Sequence, residues 1–553
     1  MDRRVDRDRA PLTLALLALP LAFVGVFFVY PVAAILGRGL LPEGSLDLSP
    51  LGDVLGDAGL REVMWFTLWQ AVLSTVLTMA IALPGAYVLA RYRFPGRSVV
   101  RALVTVPFVL PTLVVGTAFR SLLGNGGPLA DLDLVPSLTA VLLAHVFFNY
   151  AVVVRTVGGL WSHLDPRQEE AARVLGASRW RAFTSVTLPA LRPALAAAAS
   201  IVFLFTFTSF GVILVLAGPT RATIEVEIYR QTTALLDLPV AAALSIVQLV
   251  AVVAALVVSG WAQGRRAGAL KLRPEAESAR RPRGGQRVVL AANLVVMALL
   301  LGAPLAVLVE RSFDTAGGYG LDAYRSLGRL REGTTLFVPP TEAIANSLVY
   351  ATVATVIALF VGSLAAFALA HPVSRPGHGR RARPTEGIFM LPLGTSAVTV
   401  GFGFLIALDQ PPLDLRGTRI LIPIAHALIA IPFVVRTMTP VLRAIDPRLR
   451  ETAAVLGAPP LRVWREIDVP IVARAALVAA GLAFAISLGE FGATVFIARP
   501  DTATLPVVIF RLLGQPGPQA FGAAMAASTI LMALTALAVL TIERFRFAGV
   551  GEF

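Results

Sequence analysis

The 553-residue chain contains no cysteine, and only 15% of its residues are charged. The absence of cysteine excludes disulfides, thiolate nucleophiles and cysteine-ligated metal sites. Soluble domains typically carry about 25% charged and about 45–50% apolar residues, whereas this chain is 56% hydrophobic with a mean hydropathy of +0.76. The composition therefore excludes both a disordered chain and a soluble enzyme with a single membrane anchor.

The apolar residues are gathered into long runs. A helix needs roughly 20 predominantly apolar residues to span a bilayer, and twelve runs reach about this length. The sequence therefore predicts an all-α integral membrane protein with twelve transmembrane helices. The predicted spans are 11–36, 64–90, 99–119, 135–157, 194–217, 239–262, 288–310, 344–370, 387–408, 419–440, 475–498 and 521–543.

The basic residues predict the orientation of these spans. With a cytoplasmic N-terminus, 35 of the 48 Lys and Arg residues fall on the cytoplasmic side. Cytoplasmic loops of membrane proteins carry this excess, so both termini are predicted to be cytoplasmic. The net charge of +14 is then explained by cytoplasmic loops, and no nucleic-acid partner is expected.

The spans divide into two sets of six. The basic, proline- and glycine-containing segment 263–287 predicts a cytoplasmic linker. It separates a first half, residues 1–262, from a second half, residues 288–553. An internal repeat at an offset of 281 residues supports this division, because it aligns His145 with His426 across an even number of helices. We therefore expect two parallel halves related by an axis along the membrane normal.

The most similar segments of the repeat are the cytoplasmic loops after the fourth span of each half, at 158–193 and 439–474. Eleven of the 25 positions from 165 to 189 are identical at the fixed offset. In the first copy Glu170, Arg173, Val174 and Ala177 follow helical spacing, and Gly176 can end the helix. Pro189 is a suitable start for the next span. A short helix on each half predicts a docking surface for another protein; an interfacial amphipathic helix is the alternative.

These loops carry a family resemblance. Glu170-Ala171-Ala172 with Gly176 and Leu188-Pro189 resembles the E-A-A-x-x-x-G…L-P loop of permease subunits of bacterial ABC importers. Glu451-Thr452-Ala453 with Gly457 and Val469-Pro470 is a looser copy, in which Pro459-Pro460 leaves the length of the second helix open.

The resemblance implies a function and partners. It implies the type I ABC importer permease fold, with two permease domains fused in one chain of the bacterial inner membrane. The residues Glu170, Ala171, Ala172, Gly176, Glu451, Ala453 and Gly457 would then couple the chain to two copies of a cytoplasmic ATPase subunit. ATP and Mg would bind to that ATPase, no cofactor would bind to this chain, and an outer solute-binding protein would deliver the substrate.

The identity of the substrate is indicated by other segments of the chain. Fused permeases of this size are similar to those for thiamine and for ferric iron. The segments that most resemble the thiamine permease are Leu142–Asn149, Ala222–Tyr229 and Gly489–Gly492. Thiamine is therefore the expected substrate, with ferric iron as the alternative.

Other classes remain as alternatives. No G-x-x-x-x-G-K-[ST] motif occurs, so the chain is not expected to hydrolyse ATP, and no catalytic or metal site is predicted. A secondary transporter with six plus six helices would share the gross anatomy but leaves the paired loops unexplained. A membrane-embedded enzyme would need a cluster of acids and histidines. The symmetry of His145 and His426 favours interhelical hydrogen bonds.

Glu490 is the candidate for the substrate path. It lies about 15 residues into the predicted eleventh span, where a charge costs roughly 2.5–3.5 kcal/mol or more. Such a carboxylate should face a polar cavity or a partner, and would favour a cationic substrate; a salt bridge, or a helix that ends early, is the alternative. Its repeat mate Ser209, and Asn149, complete the predicted path.

Overall fold

The computed structural model describes residues 16–41, 45–218, 220–264, 279–315, 318–330, 336, 338–370, 382–409, 411 and 413–545. Within these ranges the regular secondary structure consists of helices and two short strands, which confirms the predicted all-α class. Most of the predicted linker 263–287 lies outside the described residues.

Helices of the described ranges are numbered α1 to α22 along the chain. They are α1 Leu16–Leu40, α2 Ser49–Gly56, α3 Ala58–Arg91, α4 Arg97–Val109, α5 Thr112–Leu123, α6 Leu138–His163, α7 Pro166–Val174, α8 Arg179–Phe207, α9 Gly211–Leu216, α10 Ile224–Arg230, α11 Leu238–Gly260, α12 Gly285–Ser312, α13 Asp322–Ser326, α14 Pro340–Ala370, α15 Glu386–Gly394, α16 Ala397–Ala407, α17 Leu421–Ala444, α18 Pro447–Val455, α19 Leu461–Gly489, α20 Thr494–Ile497, α21 Leu505–Leu513 and α22 Pro518–Thr541. The strands are β1 Asp314–Thr315 and β2 Gly318–Tyr319.

Ten of the helices in the described ranges are long and apolar enough to cross a membrane, and two further candidates are bent pairs. The pair α4 and α5 bends by 104°, and the pair α15 and α16 bends by 96°. Twelve spans therefore result only if each bent pair is one span. The sequence predicted one helix at 99–119 and one at 387–408, and the structure has a bent pair of helices at each of these positions.

Local chemistry explains both bends. Leu110 precedes Pro111 and has an extended backbone, ψ 142°, because proline disfavours the helical conformation of the preceding residue. The second bend has extended residues at Thr395 and Ser396. The Ser396 hydroxyl then caps α16 by accepting a hydrogen bond of 2.9 Å from the Thr399 amide.

The fifth and eleventh spans also differ from their predicted bounds, 194–217 and 475–498. The helices α8 and α19 begin about 15 residues earlier and end at Phe207 and Gly489. Arginines in their first turns hid the true start from a hydropathy reading. Pro189 was predicted to start the fifth span. It lies instead inside α8, two residues after a π-helical turn at Phe183–Thr187.

The chain packs into two compact units that mix its two sequence halves. Unit 1 holds the described residues of Met1–Gly52, Ile228–Ile246 and Thr315–Val550. Unit 2 holds those of Asp53–Glu227 and Val247–Asp314. The first span of each half thus packs with helices of the other half. The division at the linker stays a prediction, because packing units do not mark where a repeat begins.

Specific contacts hold these exchanged helices. In unit 1 the ring of Phe27 on α1 lies 6.3 Å from that of Phe404 on α16. In unit 2 the guanidinium of Arg311 on α12 donates a hydrogen bond of 3.1 Å to the Ser121 carbonyl on α5. Both contacts join segments that are more than 180 residues apart in sequence.

The described end of the linker is anchored in unit 2. Arg280 donates its amide to the Arg91 carbonyl and accepts from the Arg93 amide, both at 2.9 Å. Tyr92 lies between these two hydrogen bonds, and its burial, with a hydrogen bond to Tyr87, raises its pKa to about 12. The two backbone hydrogen bonds thus pair the described end of the linker with the chain directly after α3.

Each unit has a core of three long helices: α3, α6 and α8 in unit 2, and α14, α17 and α19 in unit 1. Small residues line the contacts, as is typical of helix packing in membranes. One close backbone approach in unit 1 is on α16, where a Cβ on Gly401 would lie 2.7 Å from the Cα and carbonyl oxygen of Ala493.

We expect Gly401→Ala to lower the free energy of unfolding by about 1–3 kcal/mol, because the extra methyl group overpacks a backbone contact. The thermal transition of the detergent-solubilised protein measures this change. The control is Gly37→Ala on α1, where no atom lies within 4 Å of an added Cβ. Equal stability of the two variants would contradict the close packing.

Candidate functional site

The loops after α6 and α17 each contain one short helix. Both helices, α7 and α18, have nine residues and begin with a proline. The carboxylates of Asp165 and Asp446 cap them by accepting hydrogen bonds from the amides of Arg167 and Arg448, at 3.0 and 2.9 Å. The predicted short helices are therefore present, and Pro459-Pro460 does not shorten the second one.

Both helices also end in the same way. Gly176 and Gly457 adopt left-handed backbones with φ +90° and +81°. The amides of Ala177 and Ala458 then reach back to the carbonyls of Ala172 and Ala453, at 3.0 Å in each copy, and this is the closing bond of a Schellman motif. Ala177 therefore lies beyond the helix and not on its face, contrary to the prediction.

A side-chain brace ties each short helix to the long helix that follows. In the first copy the Thr187 hydroxyl donates to the Glu169 carboxylate at 3.0 Å. In the second copy Arg450 Nε donates to Asp468 Oδ1 at 2.8 Å. The four residues match at the 281-residue offset, so the position of the brace is repeated although its chemistry is not.

The brace acts on an irregular part of the long helix. Thr187 and Asp468 are the last residues of π-helical turns at Phe183–Thr187 and Trp464–Asp468. Such turns are rare and often mark functional positions. The short helix is thereby connected to α8 or α19 by a side chain as well as by the backbone.

The outer surfaces of the short helices are free of neighbours from the described chain. Glu170 and Glu451 are exposed, as are Ala171, Gly176 and Gly457, whereas Ala172 and Ala453 are half-buried. The apolar pair Val174 and Leu175 is 87% and 88% exposed, and its mate Val455 and Leu456 is 87% and 81% exposed. Apolar side chains exposed beside a polar rim typify a surface that binds another protein.

Glu490 was expected inside the eleventh span, but it lies just beyond the end of a helix. α19 ends at Gly489, and Glu490 is extended. Its carboxylate caps α20, accepting from the amides of Ala493 and Thr494 at 2.7 and 3.1 Å and from the Thr494 hydroxyl. Oε2 also lies 3.2 Å from His426 Nε2. This buried carboxylate is thus fully engaged at a helix break.

The other two predicted path residues lie around the matching histidine. Ser209 is at the break between α8 and α9, and its hydroxyl is 2.9 Å from His145 Nε2. Asn149 Nδ2 donates to the His145 carbonyl at 3.0 Å. Ser209 and Asn149 therefore form one buried cluster in unit 2, whereas Glu490 belongs to a separate cluster in unit 1.

The search for acids within the spans missed two buried acidic residues, Glu225 and Glu227 on α10. Glu225 on α10 is fully buried, and its carboxylate accepts a hydrogen bond from the Gln248 amide on α11. It follows the fifth span in a segment that reads as an outer loop. The burial signal was weak but present, since Glu225 stands in the run Ile224–Tyr229, where apolar residues alternate with acids.

Comparisons with known proteins agree with this anatomy. Residues 82–265 match the family described as binding-protein-dependent transport system inner membrane component. A probable ABC transporter permease protein of Sinorhizobium fredii is 25% identical and covers 100% of this chain and 99% of its own. The thiamine transport system permease protein of Brucella abortus is 28% identical over 83% of each chain. The sulfate transport system permease protein of Escherichia coli is 33% identical over 36% of this chain and 74% of its own.

Arg450→Glu should destabilise the second loop, because it places a second carboxylate beside the buried Asp468. Losing a charged hydrogen bond costs about 1.5–3 kcal/mol, measured as a lower thermal transition of the purified protein. Adding Asp468→Thr recreates the Glu169–Thr187 pair of the first copy and should restore most of the loss. A double variant as unstable as Arg450→Glu alone would contradict the equivalence of the two braces.

Proposed function

Because the chain belongs to the family of inner membrane components of binding-protein-dependent transport systems, we propose that it forms the membrane path of an importer for thiamine. The chain is a transporter component with the all-α type I permease fold, and not an enzyme. The paired loop helices α7 and α18, with their matching caps and exposed faces, are the observation that carries the proposal.

Each loop helix is proposed to bind one copy of a separate ATPase subunit in the cytoplasm. The exposed carboxylates Glu170 and Glu451 would pair with basic groups of that subunit, and the apolar pairs beside them would enter its groove. Since the two helices have the same length, the same caps, a matching exposed glutamate and a matching exposed Val-Leu pair, a single kind of ATPase fits both. ATP and Mg would be held by the ATPase.

The proposed topology follows from the loops. If α7 and α18 face the cytoplasm, both termini are cytoplasmic, and the opposite face receives an outer solute-binding protein. Closure of the two ATPase subunits on ATP would displace α7 and α18. The braces at Thr187 and Asp468 would pass that displacement to α8 and α19, and so into the membrane.

The double variant Glu170→Ala, Glu451→Ala should abolish uptake and weaken association with the ATPase, because both docking carboxylates are lost. Gly176→Pro should act similarly, since proline cannot adopt φ +90° and has no amide to donate to the Arg173 carbonyl. Copurification of the ATPase and solute uptake in proteoliposomes measure both effects.

The control for this test is Glu342→Ala, which removes an exposed carboxylate from the first turn of α14. It should copurify and transport as the wild type does. Wild-type uptake by the double variant would refute the coupling role of the loops.

Two observations support thiamine as the substrate. The similarity to a thiamine permease extends over 83% of the chain, and buried carboxylates, among them Glu225, Glu227 and Glu490, favour a cation over an anion such as sulfate. Glu490, Ser209 and Asn149 stay our proposed path residues. Ferric iron is the alternative cation.

Uptake by the reconstituted importer should therefore be seen with thiamine and not with sulfate. Glu490→Gln retains the shape of the side chain but removes its charge, so thiamine uptake should fall by about tenfold, the effect of roughly 1.4 kcal/mol. Copurification with the ATPase should be unchanged, and Glu342→Gln is the matched control.

Two results would count against this assignment. Uptake of ferric iron but not thiamine would replace the substrate and leave the importer function intact. Unchanged thiamine uptake by Glu490→Gln would remove this carboxylate from the path.

A further inference from the structure

Each half of the chain has a buried histidine beside a break in the helix that follows the loop. His145 and His426 match at the repeat offset, and so do the break residues Ser209 and Glu490. The side chains of the two histidines are almost wholly buried, at 3% and 1% exposure. Both nitrogens of each ring have a partner in the structure.

The contacts of His145 join three elements of unit 2. From its place on α6, its Nδ1 lies 2.9 Å from the Ser74 hydroxyl on α3, and its Nε2 lies 2.9 Å from the Ser209 hydroxyl at the break. The ring therefore links the break to two helices of the three-helix core.

The contacts of His426 straddle the break in unit 1. Its Nδ1 lies 2.7 Å from the Ser487 hydroxyl before the break, and its Nε2 lies 2.8 Å from the Thr494 hydroxyl after it. Nε2 also lies 3.2 Å from the Glu490 carboxylate. In both halves, Nε2 is the atom that bonds to the break.

The breaks stand at the far ends of the helices that begin at the loops. α8 and α19 have 29 residues each, so each is about 43 Å long at 1.5 Å per residue. An unbroken helix of this length carries a displacement from its first turn to its last. The side chains that bond to the break residues decide whether this displacement passes on to the neighbouring helices.

The breaks also pack tightly on the bent spans. A Cβ on Gly116 of α5 would lie 3.1 Å from Val215 Cβ, just beyond the first break. In unit 1 the bent span also lies close to its break, because a Cβ on Gly401 of α16 would lie 2.7 Å from the backbone of Ala493. A break that moves must therefore displace the bent span beside it, in each unit separately.

We propose that His145 and His426 are positioning residues for transport: through Nε2 they hold the breaks at Ser209 and Glu490 in the place where movement of α8 and α19 displaces the bent spans. The inference rests on the proposed coupling role of α7 and α18, but not on the identity of the substrate. The histidines themselves contact no solute in this mechanism.

The two ring nitrogens can be tested apart. The amide of glutamine reaches the position of Nε2, and that of asparagine the position of Nδ1. His145→Gln and His426→Gln retain the bond to the break, whereas His145→Asn and His426→Asn retain only the bonds to Ser74 and Ser487. A general packing role predicts the same result for both variants; a positioning role predicts that only glutamine substitutes for histidine.

The chain's lack of cysteine makes the breaks easy to label. Thr208→Cys and Gly489→Cys, which match in the repeat, each place one thiol beside a break. The rate of reaction with a water-soluble maleimide is measured on the purified permease–ATPase complex, with and without a non-hydrolysable ATP analogue. We expect ATP to change this rate several-fold in the wild-type and His→Gln backgrounds, and to leave it unchanged in the His→Asn backgrounds.

Uptake supplies the second readout. The His→Asn variants should hydrolyse ATP at the wild-type rate but transport about tenfold less thiamine per ATP, from the loss of a hydrogen bond of roughly 1.5 kcal/mol. Equal behaviour of the Asn and Gln variants would overturn the proposal. So would a wild-type complex in which ATP changes the labelling at neither break.

The same labelling separates this inference from the proposed function. If the Glu170→Ala, Glu451→Ala variant copurifies with the ATPase and still shows the ATP-dependent change, the loops are not the coupling site, although the breaks do move. If wild-type labelling responds to ATP but no thiamine enters, only the substrate is wrong. In both cases the Asn and Gln comparison still decides the role of the histidines.

Discussion

A polypeptide in hydrocarbon must satisfy every backbone N–H and C=O from within the protein, because no water is present to do so. The breaks in the membrane helices depend on this constraint. Where α19 ends, the Glu490 carboxylate accepts from the first amides of α20; where α15 ends, the Ser396 hydroxyl accepts from α16. An acid deep in an apolar run is thus first of all a cap, which permits a break at that depth.

The same constraint shows why part of the structure could be predicted from the sequence and part could not. Twelve apolar segments and two short loop helices are local properties, which hydropathy and repeated caps such as Asp165 and Asp446 reveal. The bends are less visible, since the sequence around Leu110-Pro111 stays apolar throughout. The exchange of first spans between units was invisible, because an apolar helix that faces lipid and one that faces a neighbouring helix have the same composition.

For the candidate site, prediction succeeded where a motif is read along the chain and failed where contacts are distant. Glu170 and Gly176 stand in one loop, and their helix was found. Glu225 and its partner Gln248 are separated by 23 residues and a turn, and nothing local marks the pair. Glu490 was singled out as an acid in an apolar run, and it is buried, but its partner His426 lies 64 residues earlier, so its role as a cap was not apparent.

The two halves are most alike at the loops and least alike at the breaks. The caps, lengths and exposed pairs of α7 and α18 are the same, while Ser209 in one half corresponds in the repeat to Glu490 in the other. The matching caps and exposed Val-Leu pairs suit the proposed partner, a single kind of ATPase that meets both halves with the same surface. In a fused chain each half can vary independently, because the two halves are separate stretches of one sequence. Ser209 and Glu490 can therefore differ at matching positions, while the proposed common partner would favour the one geometry that α7 and α18 share.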